Sequence, residues 1–326
     1  MRKNSRIEED NIFTVNSIFS VKKDEWNLSL VAGKEGLSNR IKTDEVNRPG
    51  LLLSGFEKYF VAERIQVIGN AEWAFLNSLS ETKRKETLTR LFSYHIPALF
   101  VARGLKVFGE MIVMGDEKRT PVIVSRLPTQ ELIKNLADFL AYKLAPTTYL
   151  HGTLVDVYGV GVLIIGKSGI GKSECALDLV RKGHILIADD LIKIIEYPKG
   201  KLRGMSGSER EELKYYIEIR GVGLLDVFAL FGSRAVEEEK EIGVVVELIP
   251  WEESDRIERT GLILNKMRIL DVEVNKLVLP LVPGKHISTI IETIVMDYKL
   301  RKRGYSCAEI IEKLIVDKNE DKETST

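Results

Sequence analysis

Short apolar runs broken by glycine dominate the first third of the chain: Leu28-Ser29-Leu30-Val31 before Gly33, Leu51-Leu52-Leu53 before Gly55, and Ile65-Gln66-Val67-Ile68 before Gly69. Runs of this length bounded by turn residues read as short strands of a mixed α/β domain. Ile96-Pro97-Ala98-Leu99-Phe100-Val101 and Pro121-Val122-Ile123-Val124 look like further strands separated by a helical stretch, which fits a small layered unit. From Pro128 the period changes. Leu132, Leu136, Leu140 and Leu144 recur every four residues, as on one face of an amphipathic helix, which stops at Ala145-Pro146. The domain junction is placed on this helix. Beyond it, Leu154 to Val157 and Val162 to Ile165 predict strands, followed by a glycine loop, a helix and the strand Ile185-Leu186-Ile187-Ala188. Gly243 to Ile249 predicts another strand, and Ile290 to Leu300 a C-terminal helix.

The 326 residues are too many for one ordinary core and suit two. The expected division is an N-terminal extension at 1–11, a mixed α/β domain at 12–130, a connecting helix at 131–146, a P-loop domain at 147–316 and a disordered, charged tail at 317–326. With 44% hydrophobic and 29% charged residues, the composition is that of a globular protein. No apolar run approaches the roughly 20 residues that cross a bilayer, and Met1 to Asp10 hold no apolar segment of a secretory signal. A cytoplasmic protein without a membrane partner is expected. Lys plus Arg and Asp plus Glu both total 48, so net charge gives no argument for nucleic acid. The two cysteines, Cys175 and Cys307, lack a second ligand at metal spacing, and Cys175 reads as a small buried residue.

Gly166-Lys167-Ser168-Gly169-Ile170-Gly171-Lys172-Ser173 satisfies G-x-x-x-x-G-K-S in full. Glycines let such a loop curl until successive N–H groups face a phosphate, and the following helix N-terminus adds its partial positive charge. Lys172 then reaches the terminal phosphates and the Ser173 hydroxyl can ligate Mg²⁺. The strand Ile185 to Ala188 ends in Asp189-Asp190. In a parallel sheet the adjacent strand ends beside the phosphate loop, so one carboxylate could serve Mg²⁺ or its water and the other accept a proton from an incoming hydroxyl.

The stretch from Ala145 to Asp190 resembles the bacterial HPr kinase/phosphorylase family. The resemblance is carried by Ala145-Pro146-Thr147-Thr148, His151-Gly152, Asp156 through Leu163, the phosphate loop, Gly183-His184 and Ala188-Asp189-Asp190. It continues through Glu218-Ile219-Arg220-Gly221-Val222-Gly223, and earlier through Arg48-Pro49-Gly50, Gly55 and Glu63 to Gly69, covering about residues 12 to 315. It implies a two-domain, usually hexameric enzyme that uses ATP to phosphorylate a regulatory serine of the small phosphocarrier HPr. In reverse it implies phosphorolysis by inorganic phosphate, giving pyrophosphate. By this resemblance Asp190 is the catalytic aspartate, proton acceptor in one direction and donor in the other, with Asp189 second for the same role. His151 matches an active-site histidine, Glu218 a second magnesium ligand opposite Ser173, and Arg259 an arginine suited to a phosphoryl group in flight.

Pro280-Leu281-Val282-Pro283-Gly284-Lys285 matches the family loop tied to phosphorolysis, but Val282 and Lys285 stand where arginines are common and His286 where asparagine is usual. Lysine keeps the charge and loses the bidentate fork, so weaker phosphate binding is expected. Three rivals share the loop: a small-molecule kinase or carboxykinase-like enzyme, a non-catalytic nucleotide sensor, and a signalling GTPase. The guanine-reading N-K-x-D of the last is approached only by Asn265-Lys266-Met267-Arg268, which ends in the wrong residue.

Overall fold

The computed structural model describes residues 13–208, 210–256, 265–282 and 284–305. They fall into two compact units, Met1–Ala145 and Pro146–Thr326. The extension expected at 1–11, the tail expected at 317–326 and Arg259 lie outside the described residues.

The first unit is built on five strands, β1 (Leu28–Ala32), β2 (Val46–Asn47), β3 (Ile65–Ile68), β4 (Leu99–Val101) and β5 (Val122–Ser125), in the order β1-β5-β4-β3-β2. Only β1 runs antiparallel to its neighbour. Among the described residues six α-helices and a short 3-10 helix (Lys34–Ser38) complete it: α1 (Val15–Lys22), α2 (Gly50–Leu53), α3 (Asn70–Ser78), α4 (Glu81–Phe92), α5 (Gly109–Glu117) and α6 (Thr129–Lys143). The sheet is buried on both faces. Ile65 and Val67 of β3 join α1 and α6 in one core, while Ile68 joins α2, α3, α4 and α5 in the other. This explains why β4 and β5 read as near-continuous apolar runs, while the edge strand β1 keeps an exposed Ser29.

The Leu51-Leu52-Leu53 run forms the short helix α2 instead of a strand. Leu52 and Leu53 are buried on one side of the turn and Leu51 faces solvent, which a three-residue run cannot distinguish from a strand. The helix expected to connect the domains, 131–146, packs inside this unit as α6. Leu132, Leu136 and Leu140 are fully buried in its core, and truncating any one of them to alanine should cost about 2–5 kcal/mol.

The second unit contains β6 (Thr147–His151), β7 (Thr153–Val157), β8 (Val160–Gly166), α7 (Lys172–Arg181), β9 (Ile185–Ala188), β10 (Leu191–Glu196) and β11 (Leu202–Ser206). After them come β12 (Tyr216–Ile219), β13 (Gly223–Asp226), α8 (Val227–Phe231), β14 (Glu239–Pro250), β15 (Asn265–Ile269), β16 (Val272–Leu281) and α9 (Ile287–Lys302). The main path is β6-β10-β11-β14-β8-β7-β9, with β16 also on β14 and β15 on β16. Alternation along the central strands serves two cores. Val155, Val162, Ile164, Val244 and Val246 face α7 and α9, whereas Leu154, Leu163 and Val245 face the layer holding Ile192, Ile194 and Leu202.

The strand order changes one expectation. The strand beside β8 on the β9 side is β7, antiparallel to both neighbours, so β9 is not adjacent to the strand that feeds the glycine loop. A two-residue hairpin turn, Tyr158-Gly159, with φ of 52° and 85° joins β7 to β8, and positive φ at both positions matches strand twist. Tight local pairing therefore takes the place expected for a parallel neighbour. The Asn265-Lys266-Met267-Arg268 stretch lies in β15, paired with β16, and not in a base-reading loop.

Candidate active site

Because β7 runs against β8 and β9, its first residue, Thr153, lies at the same sheet edge as the last residues of the other two. The loop of 166–171 leaves β8 at this edge and turns into α7 at Lys172. Gly166, Gly169 and Gly171 take φ of 148°, 74° and 102°, values that a side chain disfavours. A Cβ at Gly166 would lie 2.6 Å from the Leu248 carbonyl oxygen, and one at Gly169 would fall within 2.5 Å of the Arg220 guanidinium. Lys172 Nζ donates back over the loop to the carbonyls of Gly166 (3.3 Å) and Lys167 (3.2 Å). Lys167 is itself tied to Glu253 at 2.5 Å. With the first-turn N–H groups of α7 lacking intrahelical partners, the loop gathers donors and one ammonium around a concave backbone, the requirement for holding an anion. Ser168 and Ile170 complete the loop, and Ile170 packs against the core under α7.

Asp189 and Asp190 occupy the link between β9 and β10, and they do different things. The Asp189 carboxylate is half-buried and bonded at both oxygens: Thr153 Oγ1 donates to its Oδ1 at 2.6 Å and Ser173 Oγ to its Oδ2 at 2.8 Å. Burial pushes this carboxyl above the usual carboxylate range, opposed by the hydrogen bonds from Thr153, Ser173 and the Asp190 backbone, and the neighbouring Asp190 charge pushes the same way as burial. Asp190 points outward, fully exposed, from a left-handed backbone at φ 68°. His151, the last residue of β6, stands beside it, Nδ1 lying 3.2 Å from the Asp190 carbonyl oxygen and 3.7 Å from its Oδ1. The backbone N–H of Gly152 donates to that same carbonyl at 3.1 Å. Two corners, β6 to β7 and β9 to β10, are thus clasped together at the edge where the loop emerges.

Glu218 lies on β12, whose Ile217 and Ile219 pack with Cys175, Ala176, Leu179 and Val180 of α7. Glu218 alternates to the other face and is exposed. Arg220, one residue beyond that strand, reaches over Gly169. Serine and carboxylate oxygens make a hard donor set suited to Mg²⁺. Among the described residues no group of three or more His, Cys, Asp or Glu forms a metal cage, and Mg²⁺ characteristically uses one or two protein oxygens together with phosphates and water. The residues therefore fit that ion bound along with a nucleotide. Cys175 is buried and its thiol is pushed up to about 12, chiefly by burial and then by Asp178. It is inert.

The structure brings Lys172, Ser173, Asp189, Asp190 and His151 to one edge, with Glu218 on a strand packed against α7. Sequence reasoning gave no role to Thr153 or Arg220. Their neighbours in sequence, His151 and Glu218, were the available signal.

The chain matches two family models, described as HPr Serine kinase N terminus over residues 13–140 and HPr Serine kinase C-terminal domain over residues 142–315. It is 41% identical over 298 residues to the HPr kinase/phosphorylase of Bacillus pumilus, covering 91% of this chain and 95% of that protein. It is 39% identical over 300 residues to that of Bacillus subtilis, covering 92% and 96%. Among solved structures, the HPr(Ser) kinase/phosphatase from Coxiella burnetii matches 50% of this chain and 98% of its own, at 31% identity and a TM-score of 0.45.

Proposed function

Because the chain belongs to the HPr serine kinase family, we propose that it transfers the terminal phosphoryl group of ATP to a serine of HPr. In the reverse direction inorganic phosphate removes that group as pyrophosphate. The observation that carries this reading is the Ser173 to Asp189 hydrogen bond at 2.8 Å, which ties the phosphate loop to the turn bearing Asp190. The bond supports reading the glycine loop and the solvent-facing Asp190 carboxylate as parts of one site.

The loop N–H groups and Lys172 hold the phosphates. Asp190, exposed beside His151, accepts the proton of the incoming serine hydroxyl and returns it to the departing serine oxygen in reverse. His151 orients that carboxylate. Asp189, whose two oxygens are already committed to Thr153 and Ser173, positions Ser173 and is not the base. Ser173 and Glu218 would hold Mg²⁺, which would neutralise charge on the phosphates when bound. Arg259 is assigned to the transferring group on the family resemblance. A hexamer and a cytoplasmic location belong to the same reading, with no membrane or nucleic-acid partner.

The test incubates the protein with Mg·ATP and HPr, reads phosphoserine, then adds phosphate and reads pyrophosphate, with Lys172→Ala and Asp190→Asn as controls. A chain that binds ATP and leaves HPr unmodified would refute the reading. A metabolite kinase would then be sought, the alternative sharing this loop.

A further inference from the structure

We propose that Thr153 is a positioning residue of this site: its hydroxyl fixes the Asp189 carboxylate so that the carboxylate presents the Ser173 hydroxyl to the magnesium–nucleotide complex. This rests on the phosphoryl-transfer reading above and names a residue that reading does not require.

Three observations support it. Thr153 is fully buried, so its hydroxyl reaches the half-buried Asp189 carboxylate from the protein side. Its bond to Asp189 Oδ1 is short, 2.6 Å, and spans 36 residues of sequence, as expected for a charge-assisted pair. Its own position is fixed against β8. Thr153 pairs with Ile164 of β8, and Gly152 before it sits so close to β8 that a Cβ there would lie 2.7 Å from the Ile164 carbonyl oxygen. β-Branching further restricts its side-chain rotation.

The Asp189-Asp190 link, in contrast, changes direction through a left-handed residue and projects one side chain into solvent. The rigid partner is therefore Thr153 and the partner needing orientation is Asp189. With Oδ1 held by Thr153, Oδ2 is left to face the first turn of α7, where Ser173 donates to it. Removing the Thr153 hydroxyl leaves Oδ1 without this donor, and the carboxylate is free to turn away from Ser173. Groups that orient metal ligands from behind typically change metal affinity by about 10–100-fold.

The experiment measures equilibrium binding of ATP by calorimetry to the full chain, once with excess Mg²⁺ and once in chelator, for wild type, Thr153→Val, Thr153→Ala and Thr153→Ser. Wild type should bind Mg·ATP more tightly than metal-free ATP. Thr153→Val should lose about tenfold in affinity for Mg·ATP while metal-free ATP stays within about twofold, and Thr153→Ser should restore the wild-type pattern. Thr153→Ala, which also removes the hydroxyl, supplies the same comparison if the valine protein does not fold. Equal weakening of both nucleotide forms would make Thr153 merely structural and overturn the proposal, as would unchanged Mg·ATP binding in both hydroxyl-free variants. Phosphorylation of HPr by wild type is scored in parallel. Its failure alongside an intact magnesium effect would refute the function and leave the positioning role standing.

Discussion

Asp190 holds a left-handed backbone at φ 68° with its side chain in solvent. A non-glycine residue in that region costs of order 1 kcal/mol and persists where surrounding structure imposes it. Asp190→Gly should therefore raise the unfolding free energy by about 0.5–1 kcal/mol while lowering phosphoryl transfer by about 10²–10⁴-fold. Denaturant midpoints and turnover with HPr measure the two effects on the same preparation, and a loss of both stability and activity would contradict the assignment. The glycine loop was legible in the sequence because its signal is local: three glycines, two lysines and two serines within eight positions. His151 and Glu218 were legible only by resemblance. Thr153 was not, since its importance comes from a bond to a residue 36 positions away, and a lone threonine carries no such signal.

At the scale of elements, the β6 to β7 corner depends on Gly152, whose missing side chain lets the two corners close over β8. Gly152→Ala should destabilise the chain by about 1–3 kcal/mol through overpacking against backbone and reduce nucleotide binding with it, as seen in thermal unfolding with and without Mg·ATP. A second contact locks α9 to the β7–β8 hairpin and the end of α7. Glu292 accepts from Tyr158 Oη at 3.1 Å and Lys182 Nζ at 3.0 Å, and His184 Nε2 lies 3.0 Å away.

The hydrogen bond from His184, followed by those from Lys182 and Tyr158, holds the Glu292 carboxyl below its ordinary range despite some burial. Its stabilising effect is present above the unfolded value near 4.3 and is lost as pH falls through the lower folded value. Glu292→Gln should thus cost about 1–2 kcal/mol at neutral pH, and the gap to wild type should close in acid below about pH 4. A gap independent of pH would disprove the ionic origin. β1, β3, β4, β5, β7, β8, β9 and β14 were readable from apolar runs, whereas β6, β10, β11 and β16 were not, and neither was the order of neighbours. The Tyr158-Gly159 turn places β7 between β8 and β9, and that order depends on pairing that no single run encodes.

For the molecule as a whole, two units, each with core residues on both faces of its main sheet, agree with the two cores expected from chain length. The two directions of the proposed reaction should differ in strength, because Val282 and Lys285 provide less forked charge for phosphate than a pair of arginines would. A Val282→Arg, Lys285→Arg double variant should lower the phosphate concentration that half-saturates phosphorolysis by several-fold, about 5–10-fold at 1.0–1.4 kcal/mol, with forward transfer little changed. Unaltered phosphate dependence would remove that loop from the account.

Cys175 lies one helical turn behind the loop, its sulfur sealed beneath α7 and its proton held until about pH 12. An alkylating reagent can meet that sulfur only during the moments when the helix lifts from its sheet. The thiol is therefore a built-in clock of loop opening. In a Cys307→Ser background its labelling rate counts those openings, and a bound nucleotide that pins the helix should make the clock run slow.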